Sequence, residues 1–131
     1  VIQEVVARYF SVILETRMMG FQPLIWNVIP SAPTEINNRI TVPPQYLFHG
    51  SCEERNRITR LFNQTLKTLA KSAGIQFLSL FDQLFLEDGS VNQSYFSDEI
   101  HLSQKAMPLV LESLNKLFKG NGFCDSQKRY T

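Results

Sequence analysis

The chain has 131 residues, the length of one ordinary domain and enough to enclose a core. Hydrophobic residues make up 44% and charged residues 19%, a balance that argues for a folded globular piece against disorder. A formal charge of +1 gives no electrostatic reason to expect nucleic acid or an anionic membrane, and no apolar run approaches the roughly 20 residues of a membrane span.

The first predicted element is a helix. Ile2, Val5, Val6, Tyr9 and Ile13 recur at three- and four-residue intervals, which places them on one face. Gly20 ends it, and Pro23 prevents its return. Charges at Glu4, Arg8, Glu15 and Arg17 break up the apolar stretch that a signal peptide needs. The chain opens on Val1, already inside this helical pattern and without an initiator Met, as expected of a piece of something longer.

"PLIWNVIP", residues 23–30, is a short apolar run between prolines, the pattern of a strand buried on both faces of a parallel sheet. Asn27 interrupts it and is read as a core residue satisfied by hydrogen bonds. Residues 30–53 hold four prolines and no sustained period, and are expected to form a long substrate-side loop. His49 lies in that loop, as a plain surface residue or as a contact for substrate.

A second helix is predicted over 54–73, with Ile58, Leu61, Phe62, Leu66, Leu69, Ala70 and Ala73 as its stripe and Gly74 as its stop. "IQFLSLF", residues 75–81, reads as the second strand. Strand, helix and strand make a βαβ unit, a right-handed crossover between parallel strands. After the turn signal "EDGS" at 87–90, a last helix carries Met107, Val110, Leu111, Leu114, Leu117 and Phe118 on one face. Ser103 is its expected N-cap, and Pro108 sits in its early turns. Residues 120–131 read as a C-terminal tail. The fold class is therefore α/β, but two strands fall short of the usual four to six, so a partial sheet is expected.

The chemistry concentrates in "YFSDEIHLSQKAM", residues 95–107. Asp98 and His101 lie on the connection leaving the second strand, and ligands of parallel sheets bind beyond the carboxyl ends of the strands. Three residues apart at the entry to a helix, the carboxylate can reach one ring nitrogen of the imidazole. That fixes the tautomer and leaves the other nitrogen to take a proton from a nucleophile. The same Asp-x-x-His can instead cap a helix or tie down a loop, as in a non-catalytic α/β module that acts by binding a partner. Asp98 and His101, even with Glu99, are no closed set of metal ligands, so neither metal nor cofactor is expected.

No nucleophile is evident. Ser31 has the right place in chain order but stands between prolines, where a strand-to-helix nucleophile turn needs glycines. Ser97 and Ser103 are read as local caps or turns. Cys52 and Cys124 lack metal-type spacing; free thiols are the simplest reading, with pairing left open.

"GIQFLSLFDQLFLEDGSVNQSYFSDEIHLSQKAM", residues 74–107, resembles the C-terminal block of the SGNH hydrolases, the GDSL lipase and esterase family. "GFQPLIWNVIPSAP", residues 20–33, is similar to that family's preceding strand and Pro-containing loop. The resemblance runs over residues 1–119 and corresponds to the C-terminal part of one SGNH-hydrolase domain. It implies a flavodoxin-like, three-layer parallel sheet whose N-terminal strands are absent from this chain. It also implies hydrolysis of a small-molecule, carbohydrate or lipid ester through a serine acyl-enzyme, without a cofactor. His101 would be the general base and Asp98 its orienting partner. The family's Gly-Asp-Ser and Gly-x-Asn-Asp motifs do not occur here, so the isolated chain is expected to be inactive. Its first strand is expected to leave an edge for an N-terminal half or for another copy of itself.

Overall fold

The computed structural model describes residues 1–33 and 50–120. His49, most of the expected substrate-side loop, the tail beyond Gly120 and Cys124 lie outside the described residues. Helix α1 spans Ile2–Met18, strand β1 Leu24–Trp26, helix α2 Cys52–Ser72, strand β2 Gln76–Leu78 and helix α3 Met107–Gly120. Short 3-10 turns at Phe81–Leu84, Gln93–Tyr95 and Gln104–Ala106 join β2 to α3.

α2 shows how firmly local sequence sets its ends. Ser51 Oγ accepts from the Glu54 N–H at 3.1 Å, and the Ser51 N–H donates to Glu54 Oε2 at 2.7 Å. This capping box starts the helix two residues earlier than expected, and its signal is the S-x-x-E of residues 51–54. Gly50 precedes it with φ +70°, a left-handed backbone that favours glycine, and a Cβ there would also push Glu54 Oε2, 2.9 Å away, out of the capping box. At the other end the Ile75 N–H returns to Ala70 O at 2.9 Å and the Gly74 N–H to Lys71 O at 3.2 Å. With Gly74 at φ +65°, these bonds make a Schellman stop that feeds Ile75 straight into β2.

β1 and β2 pair in parallel, with Leu24 opposite Gln76, Ile25 opposite Phe77 and Trp26 opposite Leu78. On one face Ile25 and Phe77 meet α1 and α2 in a cluster with Val6, Phe10, Leu66 and Ala70. On the other, Leu78 packs with Leu80 and Val110 against α3. A third cluster of Ala32, Leu84, Val91 and Phe96 lies under the loops that leave the strands. The fold is α/β in three layers, helix on parallel sheet on helix.

The packing covers the expected apolar faces only in part, and it corrects two other expectations. In α1 it is Phe10 that is buried, while Val5 and Tyr9 are exposed. Ile58 and Leu61 of α2, and Met107, Leu111 and Phe118 of α3, are also exposed, so each apolar arc is wider than what covers it. β1 is not buried on both faces: Ile25 is buried, but Leu24, Trp26 and Val28 on the opposite side stay open to solvent. Nor does the Ser103 side chain cap α3. Its hydroxyl donates to Ser94 O at 2.9 Å, and its carbonyl takes the Ala106 N–H at 3.0 Å instead. Pro108 is the second residue of α3, where its missing N–H costs little.

Candidate functional site

Beyond the carboxyl ends of the strands, side-chain amides take over from the sheet. The Asn27 N–H still donates to Leu78 O at 3.0 Å, and Asn27 Oδ1 accepts from the buried Leu80 N–H at 3.0 Å. Asn27 is thus the satisfied core residue that its position implied. Its bonds hold the departing ends of β1 and β2 together.

Residues 96–102 then form a tight loop. Phe96 and Leu102 close it as an antiparallel bridge, with Phe96 buried in the cluster beneath. The Ser97 N–H donates to His101 O at 2.9 Å, and the Ser103 N–H to Tyr95 O at 2.7 Å. Inside the loop Asp98 Oδ1 accepts from the Ile100 N–H at 2.8 Å and the His101 N–H at 2.7 Å. The carboxylate is therefore clamped by the backbone that it organises, an Asx-type turn. Its second oxygen, Oδ2, lies 2.6 Å from His101 Nδ1.

The electrostatics follow from that geometry. Burial works to raise the Asp98 carboxyl. The Ile100 N–H, the imidazole, the His101 N–H and the imidazole's charge outweigh it and hold the group below its ordinary range. In the neutral ring, a carboxylate at Oδ2 favours the proton on Nδ1 and leaves the lone pair on Nε2. The His101 side chain is 69% exposed against 14% for Asp98, so the partner is sheltered and the ring is presented. Such a ring can accept a proton from a neighbouring hydroxyl, which is the work of a general base.

The other candidates fall differently. Ser31 sits in the loop after β1 with its N–H donating to Asn56 Oδ1 and its carbonyl accepting from Asn56 Nδ2, and the imidazole's hydrogen bond goes to Asp98. Ser97 Oγ lies 3.3 Å from His101 O, on the backbone of the pair and not its ring. Cys52 donates to Ser31 O at 3.1 Å; burial pushes its thiol up, which keeps it a protonated donor at neutral pH. Among the described residues no group of three His, Cys, Asp or Glu side chains could hold a metal ion, and no helix is long and apolar enough to cross a membrane. Sequence reasoning gave no role to Asn56 and Asn63, both buried on α2. The available signal was a pair of amides seven apart, with Asn63 set between Phe62 and Leu66 on the apolar face.

No family profile and no curated protein matches the sequence. Solved structures do match. A GDSL-like lipase from Bacteroides thetaiotaomicron superposes with a TM-score of 0.67 at 13% identity, over 92% of this chain and 54% of the lipase. A Streptococcus pneumonia protein, provisionally described as a platelet activating factor, gives 0.66 at 19% identity, over 88% of this chain and 50% of its own. The chain thus spans about half the length of each structure. The fold is that of a partial SGNH, or GDSL-type, hydrolase domain.

Proposed function

We propose that this chain is the acid–base half of a serine ester hydrolase, with His101 as general base and Asp98 as the carboxylate that orients it. One observation carries the reading: a backbone-clamped carboxylate 2.6 Å from an exposed imidazole, at the carboxyl edge of a hydrolase-type sheet. In the intact protein a separate segment supplies the serine and the oxyanion-hole donors, and the reaction proceeds through an acyl-enzyme. That segment adds a strand to the edge of β1 that no described strand pairs, and covers Leu24, Trp26 and Val28. A cavity of about 500 Å³ lined by Pro33, Cys52, Asn56, Arg60, Phe85 and Val91 lies on α2 and the loops after β1 and β2, but Asp98 and His101 do not line it. The ester itself, a small-molecule, carbohydrate or lipid one, is therefore assigned from the acid–base pair alone.

The test is turnover of a short-chain aryl ester by the full-length protein, by its His101→Ala and Asp98→Ala variants, and by this chain alone. Loss of the base is expected to lower the rate by about 10²–10⁴. Asp98→Ala lowers it less, and the isolated chain is inactive. Equal rates for the parent and His101→Ala overturn the reading. They favour a binding module in which Asp98 only ties down its loop, a role its two backbone hydrogen bonds already fill.

A further inference from the structure

Two buried asparagines of α2 make their bonds to the loop beside the Asp98–His101 pair. Asn63 Nδ2 donates to Val28 O at 2.7 Å, and the Val28 N–H donates to Asn63 Oδ1 at 2.9 Å. Asn56 repeats the arrangement: its Nδ2 donates to Ser31 O at 3.0 Å, and the Ser31 N–H donates to its Oδ1 at 2.7 Å. Each carboxamide closes a two-bond ring on the donor and acceptor of a single residue. A carboxylate has no donor for this, and a hydroxyl has only one atom to offer.

The two rings fit because the spacings agree. Seven residues of helix rise about 10.5 Å, and three residues of extended chain cover roughly 10 Å. α2 therefore takes the place of a missing neighbour strand along residues 28–31. The splint ends beside the candidate site. The Ala32 N–H donates to Glu99 O at 2.8 Å, and Glu99 directly follows Asp98. Ala32 is fully buried, which shields that bond from water.

We propose that Asn56 is a positioning residue for the Asp98–His101 pair. It fixes Ser31, Ser31 fixes the Ala32 N–H, and that N–H holds the Glu99 peptide and so the direction of the Asp98 carboxylate. The proposal rests on the reading of His101 as a general base, but its geometric part is measurable without turnover. Asn63 is the natural control. It makes the same two bonds from the same helix, three residues further from the link to Glu99.

The experiment compares Asn56→Ala, Asn56→Asp and Asn63→Ala in the full-length protein by two readouts. One is the downfield proton resonance of the His101 Nδ1–H bonded to Asp98, followed together with amide exchange at Ala32. The other is kcat and KM for the aryl ester. Both Asn56 variants are expected to lose or broaden the resonance and to speed Ala32 exchange about tenfold or more. They lower kcat roughly 10- to 100-fold with KM held within about twofold. Asn63→Ala keeps the resonance. If Asn56→Ala does not fold, the isosteric Asn56→Asp decides. An unchanged resonance in folded Asn56→Asp, or equal loss in Asn63→Ala, overturns the positioning role. A parent that turns over no ester while the resonances respond as expected removes the hydrolase reading and supports the positioning role.

Discussion

The two faces of the sheet are finished to different degrees. On the face toward α1 and α2, Ile25 is buried and joins Val6, Phe10, Leu66 and Ala70 in one cluster. Asn63 of the same helix satisfies the backbone of Val28 just past the strand. On the face toward α3, Leu78 of β2 is covered, but Leu24, Trp26 and Val28 are not, and neither are Met107, Leu111 and Phe118 of α3. A strand with apolar residues on both sides is built for cover on both sides. Among the described residues one side has its cover and the other does not.

The contrast is sharpest in stability. Leu66 is 1% exposed at the centre of the closed face, and Leu66→Ala is expected to cost about 2–5 kcal/mol of unfolding free energy. Leu111→Ala, on the open stretch of α3, stays within about 0.5 kcal/mol. Denaturant midpoints of the two variants measure this directly, and similar losses would erase the difference between the faces. Asn63→Ala falls between them. It strands the N–H and the carbonyl of Val28, at about 1–3 kcal/mol.

Local signals were legible and long-range ones were not. The Asp98–His101 contact spans three residues and depends on a turn that the aspartate itself closes, so its spacing was enough to draw attention to it. The element order was legible for the same reason, through helical stripes and the stops at Gly20 and Gly74. The burial of each stripe was not, because periodicity marks a face as apolar without saying what covers it. Val5, Tyr9, Leu111 and Phe118 were placed on an apolar face by period alone, and no described element reaches them deeply enough to bury them. Asn56 and Asn63 were missed because their partners lie 25 and 35 residues away, in a loop whose backbone needs no side-chain pattern to be recognised.

The candidate site extends the comparison to acid. In the folded chain the Asp98 carboxyl lies below its ordinary value of 3.8, since hydrogen bonds outweigh the burial that would raise it. A carboxyl depressed by folding adds stability above its unfolded value and loses that contribution as pH falls through the folded one. The parent is therefore expected to be more stable than Asp98→Asn at neutral pH, with the gap closing below about pH 3.8. Unfolding curves of both proteins across pH 2–7 test this, the range running from below the depressed carboxyl to neutrality. A gap that is constant or widens toward acid contradicts the assigned role of the carboxylate.

The change at Trp26 is the most informative about what the open face is for. The residue is 42% exposed on β1, with Leu24 and Val28 on either side of it at the period of two that keeps all three on one face. Trp26→Thr keeps a strand-forming residue and removes only the indole. In this chain alone the cost is about 1–2 kcal/mol, because 42% of the residue is already open to solvent. In the full-length protein, if a further segment packs here, the same change costs about 3–5 kcal/mol, as for any large aromatic removed from a core. A small cost in both proteins means that the face is a free surface, and the proposed covering segment is wrong. A large cost in the isolated chain, with sedimentation that depends on concentration, means that a second copy already covers it.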